Sequence, residues 1–362
     1  MLFLFFFLAS FIFSLILTPI IGRVAVKLNI LDRPETSERK IHTKAIPLLG
    51  GVAIFFSFFI VLLTAKYFSL LPGLAPLNKH LIGIIIAASF LMLGGFLDDK
   101  YHLSPIQQFV WPVLACLAII VSGIGITFMN NPFGSGYLYF DTIKIEILRF
   151  NGVPYYFMPL SDTLTFFWLL LLMYSTKLLD GLDGLVTGVT VIGALSIVAL
   201  CLFTQFYQPD IATTALILAG AFLGFLVFNF HPAKIFLGEG GSLLAGFFLG
   251  VLAIISGSKF ATTFLILGLA VLDLISVIFQ RFFEKRHSLF SPDKKHLHFR
   301  LLEAGFSHRL AVIFYWSIAL IFGFISLFLK TQGKVIALLV LVILGSFLIG
   351  FLSRSRKKIG EN

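Results

Sequence analysis

Charge is what this sequence has least of: 12% of its 362 residues are Asp, Glu, Lys or Arg, against roughly 25% in a soluble domain. With 59% hydrophobic residues and a mean hydropathy of +1.02, that scarcity excludes a water-soluble fold and puts the chain in a bilayer. Cysteine is almost missing. Cys116 and Cys201 both fall in apolar runs, where a small hydrophobe is the better explanation, so they carry no redox or metal inference. No Pro-, Gly- or Ser-rich linker is long enough to divide the chain and no fixed-period repeat stands out, which predicts one domain, 1–362, ending in a short basic tail at 353–362. The formal net charge is +10 but no basic soluble domain carries it, which argues against nucleic acid and for attraction to anionic headgroups and phosphates.

What the chain has is uncharged runs long enough to cross about 30 Å of hydrocarbon. They are Leu2 to Ile21, Pro47 to Ala65, Leu81 to Leu97, Phe109 to Met129, Leu185 to Tyr207, Ile211 to Phe230, Gly240 to Ser258, Leu310 to Leu329 and Val335 to Ser353. Two more are broken by charge, Thr163 to about Leu179 by Lys177 and Phe260 to Gln280 by Asp273, for eleven spans in an all-α integral membrane fold. The first lacks a basic leader and is followed by Arg23 and Lys27, so it reads as an uncleaved helix with its N-terminus outside. Threading from there makes the C-terminus cytoplasmic. Of the 27 Lys and Arg residues, 7 then lie outside (Lys66, Lys79, Lys144, Arg149, Lys259, Lys330, Lys334) and 20 inside, as the positive-inside rule requires. The long outer connection 130–162 alternates Ile143, Ile145 and Ile147 with Lys144 and Glu146, which predicts a small hairpin.

The inner connections hold clusters of chemistry-bearing residues. Asp98 and Asp99 follow Gly94 and Gly95 at a helix end, where adjacent carboxylates repel unless a cation or shared proton relieves them. Neighbouring side chains point about 100° apart on a helix, which suits one as metal ligand and one as base. A solvated helix end is the plain alternative. Asp180 and Asp183, with Gly181 and Gly184, are expected on one helix face at i, i+3. The run from Asn229 through His231, Lys234 and Phe236 to Gly238, Glu239, Gly240 and Gly241 leads into a span; its backbone N–H groups would meet an anion, Glu239 would complete a metal site, and Lys234 would reach phosphate. His296, His298 and Arg300 lie in a basic loop and would clamp phosphate, although a His-x-His pair alone is a weak signal. Asp273 lies about 12 Å of helix before Arg281, a depth that calls for a partner, such as another inner loop.

Together these segments resemble the polyprenyl-phosphate N-acetylhexosamine-1-phosphate transferases, glycosyltransferase family 4. That family includes the bacterial enzymes that start teichoic acid, O-antigen and enterobacterial common antigen, and the MurNAc-pentapeptide translocase. The likeness covers almost the whole chain: Arg39, Lys40 and His42 with Pro47, Gly50 and Gly51; Asp98 and Asp99; Asp180 to Leu185; Asn229 with Pro232, Ala233 and Lys234; His296 to Leu302; and Gly305 to Arg309. The last two resemble the GlcNAc and teichoic-acid branch more than the peptidoglycan branch. Three positions depart from the family pattern: Lys177 stands where Asn is usual, Glu239 where Asp is usual and Gln108 where Lys is usual.

The resemblance implies transfer of a HexNAc-1-phosphate, with GlcNAc first in line, from a UDP-sugar to polyprenyl phosphate on the cytoplasmic face of the cell membrane, with release of UMP. It also implies Mg²⁺, with Mn²⁺ as alternative, held by Asp99 and Glu239. Asp98 or Asp99 would be the base, with Asp180, His296 and His298 as further catalytic groups. Lys40, His42, Asp183, Asn229, Lys234, Phe236 and Arg300 would bind substrate, Phe236 by stacking on uracil. In-line attack and a two-step aspartyl-phosphate route both stay open. So does a homo-oligomer. Two other classes compete: a catalytically silent relative that binds lipid phosphate or a partner, and a secondary transporter, whose polar groups should lie near the bilayer midplane rather than at helix ends.

Overall fold

The computed structural model describes residues 2–34, 44–68, 78–132, 134–150, 152–203, 207–257, 260–283 and 296–359. Twelve helices and three two-stranded ribbons are found among them. Helix α1 (Leu2–Lys27) is followed by the short pair β1 (Leu31–Asp32) and β2 (Ile46–Pro47), then α2 (Gly50–Tyr67), α3 (Asn78–Tyr101) and α4 (Pro105–Val121). Two antiparallel hairpins come next, β3 (Phe128–Asn130) with β4 (Tyr137–Tyr139) and β5 (Ile145–Phe150) with β6 (Val153–Phe157). The chain continues as α5 (Pro159–Leu179), α6 (Leu185–Phe203), α7 (Pro209–Asn229), α8 (Gly238–Ile255), α9 (Phe260–Phe283), α10 (Leu297–Glu303), α11 (His308–Phe328) and α12 (Thr331–Ile359).

Ten of the described helices are long and apolar enough to span a membrane. The eleventh expected span is shorter and lies earlier than the apolar run suggested. The Gln107 side chain accepts the Ser104 N–H and Pro105 occupies the first turn, so α4 starts at Pro105; it ends at Val121, and Gly123 follows at φ +84°. The hairpin expected in 130–162 is present as two hairpins. Most of the expected basic tail continues the backbone of α12, as far as Ile359.

Helix α8 is apolar on every side and buried almost throughout, as a central strut of a bundle must be. Its neighbours approach through glycine, since lipid offers no hydrophobic drive for helices to associate and close backbone packing must supply the attraction. A Cβ on Gly51 of α2 would strike the Gly241 backbone, and one on Gly95 of α3 the Gly240 backbone. Helix α1 seats on α7 in the same way: Cβ atoms on Gly220 and Gly224 would meet the carbonyls of Phe7 and Phe11, and Ser10 Oγ donates to the Ile217 carbonyl at 2.7 Å. Because α3, α5 and α7 end where α6, α8 and α11 begin, their polar termini converge at one end of the bundle. The hairpins join α4 to the start of α5 and so lie at the other end, about 30 Å of helix away.

Candidate active site

The converging helix ends enclose a cavity of about 740 Å³. From α3, Asp98 and Asp99 diverge as adjacent helical residues must. Asp98 Oδ1 accepts from the Leu103 N–H and from Gln108 Nε2, both at 2.9 Å. Asp99 Oδ1 accepts the Glu239 N–H at 3.1 Å, placing a carboxylate at the positive end of α8. Sequence reasoning left the N–H groups of this Gly-rich turn open to an anion; the Glu239 N–H is instead taken by the chain's own Asp99. Gly238 is required there, with φ +73° and no room for a Cβ beside Asp99 Oδ2. The Glu239 carboxylate pairs with the Lys177 ammonium, which also donates to Gln108 Oε1 at 3.0 Å.

Asp180 and Asp183 are not on a helix. Helix α5 stops at Leu179, Asp180 is its C-cap, and 180–184 form a turn ended by Gly184 at φ +81°. Gly181 is needed because a Cβ would collide with the His298 imidazole. Asp180 meets the water of the cavity yet lies deep among protein atoms; that enclosure, then the nearby charges of Glu239 and Asp183, pushes its carboxyl up to about 8.

Asp183 is occupied in holding this turn to the loop after α7. Its Oδ2 lies 2.8 Å from His231 Nδ1 and accepts the Ala233 N–H at 3.0 Å, while its own N–H donates to His308 Nε2 at 2.8 Å. The His231 and His308 rings stack with centroids 4.0 Å apart. Asn229 completes the tie: Oδ1 accepts from the Gly184 N–H and Thr187 Oγ1, and Nδ2 donates to the Ile235 carbonyl. Both residues, expected to bind substrate, line the cavity, and their hydrogen bonds within the protein hold the turn in place. Among the described residues, Asp183, His231 and His308 also bring three metal-type donor atoms within 4.8 Å of one another. Those groups are hydrogen-bonded to each other or to backbone.

Asp273 holds the inner loop, as its depth predicted. Its Oδ2 lies 2.9 Å from His296 Nδ1 and its Oδ1 accepts the Leu297 N–H at 2.9 Å, which fixes the start of α10. His298, one residue into α10, is buried in the cavity wall, and neither ring nitrogen has a hydrogen-bond partner among the described residues. Burial first, with His296 and His308 adding and Asp273 opposing, pushes its imidazole down to about 3. It is therefore neutral and can act in the expected phosphate clamp as a hydrogen-bond donor or acceptor.

Of the expected site residues, Asp98, Asp99, Asp180, Asp183, Asn229, Phe236, Glu239, His296 and His298 line this one cavity. Lys234 and Arg300 are not among its lining residues. Lys234 is exposed, and Arg300 is buried with Nη1 on the Ile349 carbonyl and Nη2 on Gln280 Oε1, so it ties α10 to α12 and α9. Lys40 and His42 lie outside the described residues. Sequence reasoning gave no role in the cavity to Asp32, His102, His231 or His308. The histidines at 231 and 308 sat inside motifs already singled out, and that company was the available signal.

Carboxylates from α3, α8 and the α5–α6 turn gather around a neutral imidazole at the ends of helices long and apolar enough to cross a membrane, as in a multi-pass membrane protein. The glycosyl transferase family 4 model matches residues 81–257. A Bacillus subtilis (strain 168) protein named "Probable undecaprenyl-phosphate N-acetylglucosaminyl 1-phosphate transferase" is 32% identical over 348 residues, covering 94% of this chain and 89% of the relative. A "Phospho-N-acetylmuramoyl-pentapeptide-transferase" of Desulforamulus reducens is 31% identical, covering 88% and 92%. A "Decaprenyl-phosphate N-acetylglucosaminephosphotransferase" of Mycolicibacterium smegmatis is 29% identical, covering 82% and 75%. The chain belongs to glycosyl transferase family 4.

Proposed function

We propose that this protein transfers a HexNAc-1-phosphate, GlcNAc-1-phosphate in the first instance, from a UDP-sugar to a polyprenyl phosphate and releases UMP. The whole chain acts as one unit, at the cytoplasmic face of the cell membrane, where the excess of Lys and Arg would place the cavity. The observation that carries this reading is the gathering of Asp98, Asp99, Asp180, Glu239 and His298 in one cavity at helix ends. There a lipid phosphate anchored in the bilayer and a water-soluble nucleotide can meet. A transporter would need such groups near mid-membrane.

An oxygen of the lipid phosphate attacks the β-phosphorus of the donor, a new P–O bond forms, and the bond to the α-phosphate breaks with its electrons leaving on UMP. Asp98, held by Leu103 and Gln108 through Oδ1 alone, orients or deprotonates the incoming phosphate through Oδ2. Asp180 in its protonated form and His298 donate hydrogen bonds to phosphate oxygens. Phe236 is the stacking surface for uracil, on a backbone anchored by hydrogen bonds to Pro47 and Gly50. The donor set is oxygen-rich and so suits a hard cation: Asp99 and Glu239 would hold Mg²⁺, or Mn²⁺, which when bound offsets charge on the diphosphate.

The test is a proteoliposome assay with UDP-GlcNAc, polyprenyl phosphate and Mg²⁺, comparing wild type with Asp98→Asn. Wild type should form pyrophosphate-linked lipid, and the variant should lose at least about a hundredfold in rate while keeping its thermal transition. No product from several UDP-HexNAc donors would refute the proposal, and an undiminished Asp98→Asn would refute the role of that residue.

A further inference from the structure

Four helices are joined here by one line of side chains. Glu239 of α8 pairs with Lys177 of α5, Lys177 donates to Gln108 of α4 at 3.0 Å, and Gln108 donates to Asp98 Oδ1 of α3 at 2.9 Å. The glutamine amide suits its place between an ammonium and a carboxylate, since it offers oxygen to the one and N–H to the other. The Lys177 and Glu239 side chains are only 20% and 15% exposed, so neither charge can rely on water and each depends on the other. Gln108, Lys177 and Glu239 are also the three positions at which the sequence departs from the pattern it resembles. They touch, so the three departures form one set: amide and ammonium have changed places between α4 and α5, and the carboxylate that meets the ammonium is one methylene longer.

We propose that Lys177 is a resident counter-cation and positioning residue of the site. Its ammonium holds Glu239 and, through Gln108, Asp98, and a divalent cation reaches Glu239 only by displacing it. An ammonium and a metal ion repel each other and compete for the same carboxylate. With the ammonium gone, Glu239 is a largely buried carboxylate near Asp98, Asp99 and Asp180 with no cation beside it, which is a stronger metal site than before. The inference rests on the proposed phosphosugar transfer for its purpose, but its test uses no substrate, so the two can fail separately.

The measurement is Mn²⁺ titration of the full-length protein in nanodiscs, with free ion followed by electron paramagnetic resonance. Lys177→Gln should bind Mn²⁺ with a Kd about tenfold or more below that of wild type. Structural damage would weaken metal binding, so the direction is diagnostic. An equal or higher Kd in a variant that keeps its thermal transition overturns the proposal. Should Lys177→Gln fail to fold, Lys177→Met removes the ammonium while keeping a long side chain in its place and leaves Gln108 and Glu239 unchanged. It should show the same fall in Kd, and wild-type affinity in that variant overturns the proposal equally.

Discussion

At the scale of the residue, the proposed chemistry turns on Asp180, which lines the cavity. Burial and the neighbouring charges of Glu239 and Asp183 push its carboxyl up to about 8, so near neutrality it is protonated. In the proposed reaction it would donate to a phosphate oxygen and, above that pH, add a negative charge to the cavity that takes the diphosphate. Donor kcat/KM, which reports the free enzyme, should therefore fall as pH rises through about 8, and Asp180→Asn should abolish that step. A step that persists in the variant would assign it to another group. The same shift bears on stability: the raised folded value penalises ionisation, so the fold loses stability from the unfolded value of about 3.9 up to about 8 and no further from this group. The sequence singled out Asp180, which does line the cavity, but gave its setting wrongly. The i, i+3 spacing of Asp180 and Asp183 suits a helix, whereas Gly184 at positive φ and the bonds from Asn229 make a turn. Those bonds come from a residue far along the chain, and no local pattern announces them.

At the scale of the element, glycines set the position of α8 and with it Glu239. Gly95→Ala would put a methyl group onto the Gly240 backbone, which cannot rotate aside as a side chain can. Helix α8 would have to shift, loosening the Asp99 cap and the Lys177 pair. The expected cost is about 1–3 kcal/mol of stability, with turnover reduced at least about tenfold because the carboxylates lose register. Gly350→Ala on α12, where a Cβ meets open space, should change neither. Thermal melts and rates on the pair decide this, and a Gly95→Ala that matches wild type would remove glycine packing from the account. Ten of the eleven expected spans were legible from length and apolarity alone, and Asp273 as a holder of the inner loop was legible from its depth. Gly51, Gly95, Gly240 and Gly241 stood out as motif residues, but that they are contact pairs depends on which helices pack together, which the motifs do not state. Arg300 carried a second task that the sequence did not announce: a basic residue beside two histidines reads as a phosphate ligand, and its guanidinium also donates to the Ile349 carbonyl of α12 and to Gln280 of α9.

At the scale of the molecule, the bundle divides its tasks by position. Helices α1 and α12 show much of their surface outward as bare Leu, Ile, Val and Phe, while α8 is enclosed and carries its only acidic residue, Glu239, to the cavity. The N-terminus of α1 and the hairpins lie away from the cavity. In the proposed reaction a lipid substrate would approach this cavity from the bilayer and a nucleotide from water, and the bond between the two donor phosphates must break. A donor labelled with ³²P at the β-phosphorus tests that most directly. With UDP-HexNAc so labelled and polyprenyl phosphate in proteoliposomes, the account predicts label in the lipid fraction and unlabelled UMP in water; label left in released UDP would mean that the sugar alone had moved, and would contradict it.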